Sequence, residues 1–174
     1  MNKITSIKIE NAKELLRQKL AEVLEEEPVW LPDYDAIADW LSDNNEKGLL
    51  LVGGPGVGKT LICDEVFDDI FKNKLGLNYV KSTPFDMAGK IEEMNDNCPW
   101  FIDDIGLEGI RVDYGNRSEP FAEIVYNAEK NGQLLVLTTN MTNEQLVARY
   151  GDRIIDRLHA IVKPIVIRGK SLRK

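Results

Sequence analysis

The sequence predicts an α/β fold built on a parallel five-stranded sheet with helices on both faces. Three observations carry that reading. Short apolar segments alternate with segments of helical spacing along most of the chain, the pattern of βα units whose sheet is covered on both sides. One apolar run, Leu49-Leu50-Leu51-Val52, leads straight into Gly53-Gly54-Pro55-Gly56-Val57-Gly58-Lys59-Thr60, a complete G-x-x-x-x-G-K-[ST] phosphate loop. Helical spacing resumes at Leu61 and runs through Phe67, which supplies the strand–loop–helix context that the motif requires. A second apolar segment, Trp100-Phe101-Ile102, delivers Asp103 and Asp104 to the strand ends where open α/β sheets bind their ligands.

The elements follow in order. Residues 6–27 place Ile, Leu and Val among charges at helical spacing, which predicts one amphipathic helix. Glu25-Glu26-Glu27-Pro28 ends it, because proline restricts the residue before it. This boundary divides the chain into 1–27, an N-terminal helix and candidate partner-binding segment, and 28–174, the nucleotide-binding domain. A short helix is predicted from Pro32 to about Asn44, a strand at 49–52, and a helix from the phosphate loop to about Asn73. Tyr79 to Ser82 reads as a strand, and Pro84 opens a helix reaching about Asn95. The strand at 99–104 is followed by a polar, glycine-containing loop over 105–118. A helix over 119–131 stops at Gly132, and residues 133–139 form the next strand. Helices at 143–150 and 152–159 and a last strand at 161–167 complete the five-stranded count.

Composition narrows the function classes. A chain of 174 residues with 43% hydrophobic content suits one domain with a real core. No apolar run approaches the roughly 18 residues of a membrane span. Met1-Asn2-Lys3-Ile4-Thr5 has no apolar signal region, so the expectation is a cytoplasmic protein without a membrane partner. Cys63 and Cys98 lie far apart with no His or Cys at ligand spacing and read as buried thiols. The net charge of −7 divides unevenly: residues 149–174 carry 8 basic and 2 acidic side chains, while the body before them is strongly acidic. Such asymmetry marks either a phosphate-facing end or a solvated tail, and Lys170, Arg173 and Lys174 fit both readings equally. The acidic body disfavours broad affinity for a nucleic-acid backbone.

The motif residues imply a nucleoside triphosphate site. Glycines 53, 54, 56 and 58, with Pro55 and Val57 between them, let the backbone curl until its N–H groups face a phosphate. The helix that opens at Lys59, Thr60 and Leu61 adds its free N–H groups and partial positive charge. Lys59 would reach the β- and γ-phosphates, and the Thr60 hydroxyl would ligate Mg²⁺. Asp103 would hold Mg²⁺ through water and Asp104 would polarise the attacking water. Asn140, at the end of Leu137-Thr138-Thr139, would orient that water or touch the γ-phosphate. Its alternative is a helix-start residue in Asn140-Met141-Thr142-Asn143. Arg149, Arg153 and Arg157 are spaced by four and share one helical face if Gly151 does not interrupt them. They read either as surface ion-pair partners of Asp152, Asp156 and Glu144 or as arginines offered to a neighbouring subunit's γ-phosphate.

Four segments together carry a resemblance: the phosphate loop, Ile102-Asp103-Asp104-Ile105-Gly106 with Glu108, Thr138-Thr139-Asn140, and Tyr150-Gly151-Asp152-Arg153-Ile154-Ile155-Asp156-Arg157-Leu158. In order and spacing they resemble the AAA+ ATPases of the DnaC/IstB group over roughly residues 28–172. The resemblance implies a P-loop ATPase without a C-terminal lid, with Asp103 and Asp104 as the Walker B pair, Asn140 as sensor and Arg157 as a finger acting between subunits. Gly169-Lys170-Ser171-Leu172-Arg173 is similar to the family's ending. Asp104 stands where many such ATPases carry Glu, one methylene longer, and only about 27 residues precede Pro28 where the family's loaders carry a sizeable N-terminal domain.

The resulting expectation is an ATP·Mg²⁺-dependent AAA+ ATPase of DNA replication that self-associates through Arg157 and acts as a DnaC-like loader on a replicative helicase. Single-stranded DNA is a candidate ligand. The alternatives are an IstB-like transposition helper with a transposase partner and a nucleotide-switched adaptor with little turnover. A small-molecule kinase fits less well, because no lid segment follows the arginines and the Thr-Thr-Asn strand end points elsewhere.

Overall fold

A strand buried on both faces needs an unbroken apolar run, and the three central strands of the sheet are buried along nearly their whole length. In the computed structural model, which describes residues 3–95, 98–108, 111–113 and 116–173, the strands in chain order are β1 (Gly48–Val52), β2 (Val80–Ser82), β3 (Trp100–Ile102), β4 (Arg111–Asp113), β5 (Asn116–Ser118), β6 (Leu135–Thr139) and β7 (Val162–Val166). Five of these form one sheet in the order β2-β3-β6-β1-β7, and every pairing in it is parallel. Val52 stands opposite Thr139 on one side and Val166 on the other, so the C-terminal ends of β1, β6 and β7 lie level. β6 is inserted between β1 and β3, which sets the strand end at 139 between the phosphate loop and the carboxylates.

Alternation along each strand divides the core in two. Leu49 and Leu51 of β1, Phe101 of β3 and Val136 of β6 face one cluster, and Leu50, Trp100, Ile102, Leu135 and Leu137 face the other. Trp40, Phe67 and Phe71 anchor the first cluster, with Trp40 stacked on Phe67 at 5.7 Å. The helical run behind the phosphate loop spans residues 59–74 and carries two wide turns, Ile62–Val66 and Ile70–Lys74. In the second cluster the helix Pro120–Asn131 starts on its proline and ends at Gly132, which adopts a left-handed conformation with φ 69°. Thr142 and Gln145 form a reciprocal cap on the helix Asn143–Tyr150. Gly151 separates it from the helix Asp152–Ile161, which detaches Arg149 from the face shared by Arg153 and Arg157. Among the described residues no helix is long and apolar enough to cross a membrane.

Three predicted elements differ. The N-terminal helix, α1, occupies Ala12–Leu24 rather than 6–27. Asn11 has φ 54°, which blocks helical continuation backward, and Ile7 and Ile9 lie outside any helix, bonded to the end of the following helix, α2 (Tyr34–Ser42). The Ile9 amide donates to Leu41 O at 3.1 Å, and the Asn44 side chain accepts from the Ile7 amide and donates to Thr5 O. Ile7-Lys8-Ile9 has the period-two alternation of β-branched residues, and that local preference prevailed over the longer helical pattern. The helix expected from Pro84 is a 3₁₀ segment, Met87–Asn95. Asp86 accepts from the Thr83 amide and the Ser82 and Thr83 hydroxyls, a local alternative to an α-helical start. The loop expected over 105–118 contains the antiparallel pair β4–β5.

The apolar stripe of α1 is covered by the body itself: Ala12, Leu16 and Leu20 are buried in the first cluster. Truncating Leu16, which has no exposed surface, should destabilise the whole domain by about 2–5 kcal/mol. Urea unfolding of Leu16→Ala measures this, and an unchanged midpoint would show that α1 adds nothing to the fold.

Candidate nucleotide site

The phosphate loop is held in place by its glycine backbone, by Tyr34 and by the buried Val57 side chain. Gly56 and Gly58 have φ 81° and 89°, a region that L side chains rarely adopt. A Cβ at Gly58 would stand 2.5 Å from the Tyr34 hydroxyl, which donates to Val57 O at 2.7 Å. Burial pushes the Tyr34 phenol up to about 12, so it stays a donor. Val57 is tucked into the core, while Pro55, Gly56, Gly58, Lys59, Thr60 and Leu61 line a cavity of about 380 Å³, within the range of small-molecule sites.

Lys59 is 5% exposed. Its ammonium donates to Gly53 O at 2.7 Å, Gly54 O at 2.8 Å and Asn140 Oδ1 at 2.9 Å. Burial lowers its pKa, and the charges of Asp104 and Asp103 work against that shift. Thr60 Oγ1 donates to Asp103 at 2.9 Å. Thr138 joins the two carboxylate residues: its hydroxyl donates to Asp103 Oδ1 at 2.6 Å and accepts from the Asp104 amide at 2.8 Å. Asp104 sits at φ 51°, and Asn140 Nδ2 donates to its Oδ1 at 3.2 Å. Burial, followed by the neighbouring Asp103 charge, raises the Asp104 pKa, so it reaches its ionised, proton-accepting form at a higher pH than an ordinary aspartate.

The sheet order therefore brings Lys59, Thr60, Asp103, Asp104 and Asn140 together. Arg157 lies elsewhere. Its guanidinium is paired with Glu129 and stacked 4.8 Å over the Tyr126 ring, and its side chain is 36% exposed. Arg153 is exposed on the same helix. Arg149 is bound to Glu119 at 3.1 Å and to Glu108 O at 2.5 Å.

Sequence reasoning assigned no role to four contributors. Tyr34 and Thr138 carried no motif beyond their types, although Thr138 lies inside the Thr-Thr-Asn segment. Glu108 is buried and accepts from the Gly106 amide and the Tyr150 hydroxyl, tying the loop after Asp104 to the junction that precedes the Arg153–Arg157 helix. The apolar part of the cavity wall comes from Leu20 and Leu24 of α1, Pro28, Val29 and Leu172, distant segments that fold over the phosphate loop.

A hydroxyl and a carboxylate oxygen within one hydrogen bond, Thr60 and Asp103, are hard oxygen donors of the kind Mg²⁺ takes. Beyond them, no group of three or more His, Cys, Asp or Glu side chains is arranged for a metal among the described residues.

Scans against protein-family models and against curated proteins return no match. Solved structures do match. The chain is similar to the DnaC helicase loader, with TM-score 0.57 and 21% identity over 70% of this chain and 78% of that one. It is similar to DnaI, with TM-score 0.55 and 20% identity over 92% and 87%. It is also similar to AMPPCP-bound DnaA from Aquifex aeolicus, with TM-score 0.54 and 15% identity over 80% of this chain and 48% of that one. These likenesses show the fold alone: a parallel five-stranded sheet flanked by helices, with the phosphate loop after its first strand.

Proposed function

We propose that this chain binds and hydrolyses ATP as an AAA+ protein of DNA replication, acting as a DnaC-like loader on a replicative helicase. The carrying observation is the convergence of Lys59, Thr60–Asp103, Asp104 and Asn140 on one cavity beside the phosphate loop, in a fold shared with the DnaC helicase loader and DnaI.

The phosphates of ATP lie against the backbone N–H groups of 54–60, and the Lys59 ammonium exchanges its carbonyl partners for phosphate oxygens. Thr60 and Asp103 would hold Mg²⁺, and the ion would supply charge neutralisation for the phosphates. Asp104 accepts a proton from the attacking water, and Asn140, already bonded to both Lys59 and Asp104, orients that water. Thr138 orients both carboxylate residues, donating its hydroxyl to Asp103 Oδ1 and accepting from the Asp104 amide. Arg157 leaves Glu129 to reach the γ-phosphate of an adjacent subunit.

Asp104→Asn should retain ATP binding and lose roughly a hundredfold in turnover, since an amide cannot act as a base. Calorimetric binding beside steady-state phosphate release checks this. Equal loss of both would place Asp104 in the metal shell. Co-purification with a replicative helicase in ATP, with and without single-stranded DNA, tests the partner, and absence of a complex in every nucleotide state rejects the loader role. One observation favours a second reading, a nucleotide-switched adaptor: Asp104 is one methylene shorter than Glu and its backbone is held at φ 51°, which suits slow turnover. Binding without measurable hydrolysis in the parent protein, alone and with partner, selects it.

A further inference from the structure

Glycine at position 58 gives the phosphate loop a freedom that an anion site must restrain. Gly58 stands at φ 89°, and without a Cβ it accepts either sign of φ. The peptide plane between Val57 and Gly58 can therefore turn over at small steric cost. The two orientations differ for an anion, because in a trans peptide the carbonyl and the N–H point opposite ways. One offers the Gly58 N–H to the cavity. The other offers the Val57 carbonyl oxygen, which repels phosphate.

A group outside the loop selects between them. The Tyr34 hydroxyl, from the first residue of α2, donates to Val57 O at 2.7 Å. The Tyr34 ring is buried, and Trp30 meets it edge-on at 5.6 Å. Trp30 is held in turn: its indole N–H donates to Asp35 Oδ1 at 3.1 Å, and Lys13 of α1 binds the same oxygen at 2.7 Å. On the other side of the plane, the Gly58 amide has no hydrogen-bond partner among the described residues. Gly58 lines the cavity and Val57 does not. A backbone N–H left open in such a place is available to an anion.

We propose that Tyr34 is a positioning residue for nucleotide binding: by holding Val57 O on its own side of the plane, its hydroxyl aims the Gly58 N–H at the α- and β-phosphates. The role rests on the nucleotide reading of the phosphate loop and adds to it a residue outside the loop motif. Without the hydroxyl, the binding orientation leaves Val57 O unpaired and the plane turns over. Affinity then falls with the fraction of molecules still in the competent orientation. ATP and ADP both present these phosphates, so both weaken by the same factor.

Tyr34→Phe keeps the ring and removes only the hydroxyl. Isothermal titration calorimetry on the full chain with Mg²⁺ should show ATP and ADP each weakened roughly five- to hundredfold, the effect of leaving a buried carbonyl unpaired, with their ratio unchanged. KM for ATP should rise while turnover at saturation stays close to the parent's, the mark of binding lost equally from ground and transition states. Tyr79→Phe is the matched control. Its hydroxyl donates to Cys63 O at 2.8 Å, on the helical run behind the loop. Removing it deletes the same kind of bond without freeing the 57–58 plane, and both affinities should hold. The Gly58 amide resonance reads the orientation itself. In the parent it should move on saturation with ADP·Mg²⁺. In Tyr34→Phe it should start from a different free position and end at the parent's bound one. Unchanged affinities in Tyr34→Phe, an equal loss in Tyr79→Phe, or a parent Gly58 amide that ignores bound ADP each overturns the positioning role while the nucleotide reading stands. The last readout needs no variant, so it decides even where Tyr34→Phe fails to fold. A parent that binds neither nucleotide overturns both.

Discussion

Lys59→Ala should lose ATP affinity by roughly a hundredfold or more, as expected when a buried ammonium makes more than one charge-assisted bond to phosphate. The fold should survive, because the side chain's partners are the Gly53 and Gly54 carbonyls and the Asn140 amide. Lys59 and Asn140 line an open cavity, which water can enter once the ammonium is gone. Titration with ATP·Mg²⁺ gives the affinity and thermal unfolding without nucleotide gives the stability. A variant that bound ATP as tightly as the parent would remove the phosphate-loop assignment. A variant that unfolded would show instead that Lys59 is a structural clamp joining β1, the loop and β6.

Arg157→Ala should keep the nucleotide affinity of the isolated subunit and lose most of the ATPase activity that rises with protein concentration. A trans arginine is worth about 10³–10⁵ in rate in the best-studied phosphate-loop enzymes, and a slower motor should lose less. Arg157 is not at its own chain's cavity. It is held by Glu129 and stacked on Tyr126, on a helix whose neighbouring Arg153 is exposed. Leaving Glu129 costs little because that ion pair is partly solvated and such pairs are weak. Mixing Arg157→Ala with Lys59→Ala should restore part of the activity, since Lys59→Ala subunits lend a finger to intact pockets. Concentration-independent turnover in the parent, with no rescue on mixing, would leave Arg157 as the surface partner of Glu129 alone.

The sheet was legible because its central strands, buried on both faces, read as apolar runs, and all five expected strands formed, with their ends shifted by one or two residues. The phosphate loop was legible because its backbone at positions such as 56 and 58 takes a positive φ that glycine adopts most readily. The hairpin of β4 and β5 was not legible, since Arg111-Val112-Asp113 and Asn116-Arg117-Ser118 offer little β propensity. The non-helical segment at Ile7–Ile9 was hidden because its two isoleucines also fit the helical period of the residues after them. The segment ending in Arg173 read as well for a solvated tail as for a phosphate-facing end, since nothing in its charges reveals that the Leu172 amide meets Gly56 O.

By itself, then, the sequence determined what is local: the strand-to-loop-to-helix turn that holds Lys59 and Thr60, the carboxylates at the end of β3, the amide after β6, and the break at Gly151. Tertiary structure alone decided how these meet. Placing β6 between β1 and β3 bonds Thr138 to Asp103 and Asp104 and sets Asn140 on Lys59, contacts 34 to 81 residues apart in the chain. It also seated Arg157 on Glu129, folded α1 over the cavity and laid the segment after β7 across the phosphate loop. Such contacts leave no periodic trace, because they depend on which buried faces pack together and not on the preferences of neighbouring residues.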